Sequence, residues 1–131
     1  MANKNYPDIP TRIKAVTIDT IVLVVFLLGA SDVFSNQENP EILYKIITFI
    51  SIFLLYDPVM VSLFGATIGH RFCKIEVQDE SSGKKINFIK ALIRFVTKAF
   101  LGWFSLLSIA NSPKKQAIHD SIVNSVVVTF D

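Results

Sequence analysis

A single cysteine, Cys73, stands in the chain of 131 residues. No internal disulfide can form, and Cys73 has no partner for a CxxC or zinc pattern. Its position fits a small apolar filler near a membrane surface. Excess charge is equally scarce. Thirteen Lys and Arg against eleven Asp and Glu leave a net charge of +2, too little to hold nucleic acid. No aromatic-plus-basic platform supports that function either. No nucleophile elbow, phosphate loop or HExxH run occurs, so no catalytic constellation points to an enzyme. The two histidines, His70 and His119, lack metal-ligand spacing, and no cofactor is expected. Gly65 and Gly69 in GATIG lack the third glycine and the strand–turn–helix setting of a dinucleotide loop.

Apolar residues are abundant: 51% of the chain is hydrophobic, with 11 Phe and a mean hydropathy of +0.48. They fall in blocks rather than with an amphipathic period, which points to a membrane. The length suits one domain over residues 1–131. The polar lead over 1–11 carries Pro7 and Pro10, expected to keep it extended before a helix capped by Thr11. The first transmembrane helix is expected over about 12–30. The 18 residues from Ile13 to Ala30 reach about 27 Å, close to the ~30 Å hydrocarbon core. Gly29-Ala30-Ser31 resembles a leader cleavage site, but Leu28 stands where a small residue is wanted and Asp19 borders the apolar run. A short acidic loop over 31–41 precedes a second transmembrane helix over 42–64, with Pro58 expected to kink it.

Residues 73–79 alternate as a short strand, and Val126-Val127-Val128 mark another over about 125–130 with which it could pair. Between them, 87–110 reads as an interfacial or re-entrant helix. Lys90, Arg94 and Lys98, four apart, form a cationic stripe. Phe88, Ile89, Leu92, Phe95 and Val96 lie largely off it, the pattern of a helix in the headgroup plane. Residues 99–110 would reach about 18 Å, too short to span. The fold class is therefore an all-α membrane protein with a small two-stranded cytoplasmic β element. With both termini inside the inner (plasma) membrane, 12 of the 13 basic residues fall on the cytoplasmic side, Lys45 being the exception. That distribution obeys the positive-inside rule.

The charges within the apolar stretches mark the candidate site. Arg12 can snorkel to the inner surface, but Asp19 lies about 10 Å further along the same helix face. Asp57 lies about 12 Å from the inner end of the second helix, at similar depth. Facing each other, the two carboxylates would form a coupled pair that shares a proton, holds a cation or draws in Arg12. Asp57 could alternatively cap the break at Pro58. His70, His119 and Asp120 could close the site from the cytoplasmic side. Lys90, Arg94, Lys98, Lys114 and Lys115 are expected at anionic lipid headgroups.

Arg12, Ala15 and Asp19 in the spacing R-x-x-A-x-x-x-D, then GATIGHR, KIEVQD and QAIHD followed by VVV, resemble the RDD family of bacterial membrane proteins. The likeness runs from about residue 6 to 130 in order. The family is named for one arginine and two aspartates, which the resemblance matches to Arg12, Asp19 and Asp120. Many members carry a further glycine before the strand, where this chain has Cys73-Lys74. The resemblance implies a loosely defined role, with ligand transport proposed and sodium/proton antiport described for a few members.

Two functional expectations follow. In the first, Asp19, Asp57 and Asp120 bind a cation or relay protons and Arg12 tunes them. Two spans cannot enclose a path, so a homo-oligomer or membrane partner is then needed. In the second, the cluster only locks the tail to the helical hairpin, and the basic surface binds lipid or a partner.

Overall fold

The computed structural model describes residues 4–102 and 104–130. The first helix, α1, spans Ile9–Ser35 and has Pro10 in its first turn. A proline there gives up only an N–H that would have no helical partner, and its fixed φ suits the helix. The helix therefore starts ahead of the expected boundary and takes in Pro10 instead of following it. It also runs past Ala30 to Ser35, leaving a shorter loop before α2, Ile42–Phe64. The α2 helix continues through Pro58 to Gly65, whose φ of 75° ends it in the left-handed conformation that glycine adopts without strain. The final carbonyls of α2 are occupied by basic side chains: Lys85 donates to Leu63 O at 3.0 Å and Arg71 to Phe64 O at 2.9 Å. Both helices are long and apolar enough to cross a membrane, and most of their side chains face outward.

A short helix, α3 (Ile68–Phe72), opens on Thr67, whose hydroxyl accepts from His70 N at 3.2 Å. It leads into strand β1, Ile75–Asp79. Helix α4 covers Phe88–Leu101 and is capped by Asn87, which accepts from Lys90 N at 2.8 Å. It ends at Gly102 (φ 53°), and a separate turn of helix, α5, follows at Phe104–Leu107. The expected third helix over 87–110 is thus two pieces. Helix α6 (Ile118–Ile122) then feeds strand β2, Ser125–Thr129. β1 and β2 pair antiparallel, with Ile75 opposite Thr129 and Val77 opposite Val127.

The sheet is built from one motif used twice. Gly65 and Lys115 have positive φ; two residues later Thr67 and Ala117 begin five-residue helices. Lys74 (φ 55°) and Asn124 (φ 52°) then turn each helix into a five-residue strand. Corresponding positions are 50 residues apart throughout, and the strands pair symmetrically about Val77 and Val127. Lys74 holds its left-handed conformation in the segment where the resemblance places an additional glycine. The core lies here, where the start of α1 and the end of α2 meet the sheet: Ala15, Val61, Ile75, Val77, Ile86, Ala91 and Val127 are buried together. At about 25 cal/mol per Å² removed from water, this apolar cluster gives this end of the molecule its cohesion.

Candidate functional site: a buried ladder of charges

Asp19 emerges from α1 against the start of α3. Its carboxylate accepts from the Thr67 hydroxyl at 2.6 Å, Gly69 N at 2.8 Å and the Tyr56 hydroxyl at 2.8 Å. Tyr56 in turn accepts from Ile68 N at 3.2 Å. The approach is close enough to require glycine. A Cβ on Gly69 would lie 2.1 Å from Ala15 O and 2.8 Å from Asp19 Cγ. The two glycines of GATIG therefore do different jobs, Gly65 ending a helix and Gly69 admitting a carboxylate.

Asp120 is held in another way. Arg12 Nη1 donates to it at 2.6 Å, Arg94 Nε at 2.8 Å and Ala117 N at 3.1 Å. Arg12 also donates to Lys115 O at 2.7 Å, so one guanidinium ties α1 to both sides of the tail's turn. Lys98 Nζ donates to Asp57 at 2.7 Å, while Arg94 Nη1 stands 3.8 Å from the other Asp57 oxygen, beyond hydrogen-bond range. The sequence of contacts Lys98–Asp57–Arg94–Asp120–Arg12 is a continuous ladder of alternating charge. Arg12 Nε, Asp57 Oδ1 and Arg94 Nη1 are buried in it without a hydrogen-bond partner.

Titration follows from burial among these charges. Burial opposes ionisation of Asp120, but the Arg94 and Arg12 cations outweigh it and hold the carboxyl well below the usual range. Arg94 is desolvated too, yet Asp120 and Asp57 keep its pKa raised. Burial, reinforced by Arg94, pushes His70 down to about 3. His119 is likewise driven to about 3 by burial despite Asp120 beside it, 3.6 Å from Nε2. Both imidazoles are neutral at pH 7. His119 Nδ1 meets the Ser105 hydroxyl, which also accepts from His119 N at 3.1 Å. Ser105 is fully buried, so its hydroxyl serves as a hydrogen-bonding strut for α6.

The structure brings Arg12, Asp120 and His119 together and places Asp57 one rung away. Asp19 stands apart, held by neutral donors with none from Arg12. Asp19 and Asp57 each keep a separate set of partners and do not form the expected coupled pair. Arg94 is also corrected: it is 2% exposed and central to the ladder, so it does not reach lipid headgroups. The stripe meets carboxylates of the chain itself: partly exposed Lys90 pairs with Asp79 at 2.8 Å and Lys98 with buried Asp57. The buried carboxylates Asp57 and Asp120 attract Lys98 and Arg94 more strongly than an aqueous face would. Lys114 and Lys115 are partly exposed and pair with Glu80 and Asp8. Sequence reasoning missed Tyr56, Thr67 and Ser105. It could have found Arg94 and Lys98, since two carboxylates in apolar stretches and a third matched from the tail faced one assigned arginine and needed more cations.

The sequence profile of the RDD family matches residues 6–124. The chain belongs to the RDD family. Of the trio matched by resemblance, this RDD chain pairs Arg12 with Asp120 and gives Asp19 its own pocket. A Bacillus subtilis (strain 168) protein described as the uncharacterized membrane protein YteJ is 29% identical over 87 residues, 65% of this chain and 52% of its own length. The chain thus spans about half the length of that curated relative. No solved structure matches the RDD chain.

Proposed function

We propose that the chain is a membrane-embedded accessory module. Its charge ladder fastens a re-entrant segment and a cytoplasmic cap to a two-helix hairpin, and its surface binds lipid or a membrane partner. One observation carries this reading: the carboxylates Asp19, Asp57 and Asp120 already draw donors from within the chain, and Arg12, Arg94 and Lys98 balance their charge. A buried network with its own counterions resists exchange with solvent ions.

The path of α4 supports the re-entrant placement. Lys90 begins beside Asp79 in the sheet, and Phe95 meets Phe53 with ring centroids 5.7 Å apart. Phe53 lies about 16 Å along α2 from its inner end. The chain then returns, and Lys115 donates to Tyr6 O at 3.2 Å ahead of α1. Ile89, Ile93, Val96 and Phe100 share the outward face of α4, and Phe100 is 87% exposed. Apolar groups outside and charges inside fit a helix with lipid around it. The termini lie on the cytoplasmic side of the inner membrane in this reading, where the basic residues concentrate. Exposed Lys14 and Lys84 take the place of Arg94 among the contacts to anionic headgroups.

Cation- or proton-coupled transport by a homo-oligomer is the second reading. Asp57 Oδ1 and Arg94 Nη1, buried without partners beside a cleft, favour it as the loosest rung of the ladder. Flux of protons against sodium or potassium in proteoliposomes decides between them, with wild type compared against Asp19→Asn. The accessory reading expects no coupled flux from either protein in a folded state. Coupled flux in wild type that disappears in Asp19→Asn would establish transport.

A further inference from the structure

A cleft of about 290 Å³ opens between α1, α2, α4 and α5, separate from the closed part of the ladder. Its walls are apolar, formed by Ile13, Leu23, Phe53, Phe95 and Leu106. Two flanking helices are membrane spans, so an occupant arrives from the hydrocarbon.

The polar floor limits the chemistry of that occupant. Asp19 is filled by three donors. Thr17 and Thr20 give their hydroxyl hydrogens to Ile13 O and Val16 O, leaving only lone pairs to offer. Lys98 Nζ has three hydrogens and makes one hydrogen bond, to Asp57. It lines the cleft and is partly exposed there, so it has hydrogens left to give to an acceptor in the cleft. An anionic head would meet Asp19 and Asp57, and a cationic head would meet Lys98 with Arg94 behind Asp57. An uncharged oxygen head meets neither penalty. It can accept from Lys98 and donate to a threonine oxygen.

We infer that this cleft is a binding site for one hydrocarbon chain of an acylglycerol, with its ester and hydroxyl oxygens at Lys98, Thr17 and Thr20. The site rests on the membrane placement of α1 and α2 but needs nothing from the fastening role of the ladder. Photolabelling of the full chain in phosphatidylcholine nanodiscs tests it. The probes are a monoacylglycerol, a fatty acid and a phosphatidylglycerol, each with the same diazirine-bearing tail. The monoacylglycerol is expected to label α1 and α4 about tenfold above the other two, because their negative charge meets Asp19 and Asp57 in the cleft lining. Val16→Trp, an exposed position on the cleft wall outside the ladder, should abolish that preference while the melting midpoint stays put. Equal labelling by all three probes, stronger labelling by either charged probe, or labelling untouched by Val16→Trp would overturn the site and leave ordinary annular lipid. A collapsed midpoint in ladder variants bears on the fastening role alone.

Discussion

Asp19 and Asp120 are buried carboxylates solved by opposite means. Two hydroxyls and a backbone amide surround Asp19, whereas Asp120 sits between two guanidiniums. Dipoles distribute a charge without adding another, so the Asp19 pocket binds α1 to α2 and α3 without any cation depending on it. Ion pairs create dependence in both directions, because each guanidinium would be stranded without its carboxylate. The difference separates a local clamp from a structure-wide keystone.

Removing the keystone should have the largest effect. Asp120→Ala leaves Arg12 and Arg94 facing each other without an anion, and a loss of about 3–5 kcal/mol is expected in denaturant titration of the purified protein. Asp120→Asn should be nearly as damaging, since an amide restores hydrogen bonds but no charge. The clamp can be broken from the opposite side. Gly69→Ala forces a methyl into Ala15 O and should cost about 3 kcal/mol, the upper end for overpacking. Parity of Gly69→Ala with an exposed control such as Gly29→Ala would refute the close approach.

A gentler change sharpens the contrast. Asp19→Asn keeps an oxygen for Gly69 N and Tyr56, so a loss of about 1–2 kcal/mol is expected. If it matches Asp120→Asn, the distinction between clamp and keystone fails.

Acid offers a graded probe of the same comparison. His70 and His119 have folded pKa values of about 3 against an ordinary 6.5, so between those values the unfolded chain binds more protons. Stability therefore rises with pH across this window and is lost as pH falls below about 6.5. The lowered Asp120 acts in the same sense in more acidic solution, its contribution present above the ordinary carboxylate range and lost as pH falls from there toward its depressed folded value. Melting midpoints should be level above neutrality and decline on acidification, with His119→Gln flattening the slope. At the far end of the scale, Lys114→Ala removes an exposed pair with Glu80 and should leave the midpoint unmoved.

Much of this architecture was legible in the chain. Apolar runs long enough for the bilayer located α1 and α2, and alternation with a valine run located the two strands and their pairing. Arg12 and Asp120 could be matched through motif order. The direction in which α4 faces was hidden, since a cationic stripe with an apolar reverse looks identical whether lysines meet water or buried carboxylates. Only the count of unpaired acids elsewhere distinguishes these cases. Gly102, one residue in an otherwise hydrophobic stretch, gave little warning that 87–110 divides. The duplicated turn–helix–strand was also invisible, because its two copies share backbone conformation while Lys74 and Lys115 stand where Gly or Asn is usual at positive φ.

The contact between Gly69 and α1 has a mechanical consequence. With Gly69 N bonded to Asp19 and no room for even a methyl above Ala15 O, α1 cannot slide or rotate on α3 like a piston in a sleeve. Any displacement of α1 along its axis must drag α3, and through Lys74 and β1 the strand pair with it. The first long apolar helix and the strand pair are thus coupled through this contact, so a shift of one along the α1 axis carries the other with it.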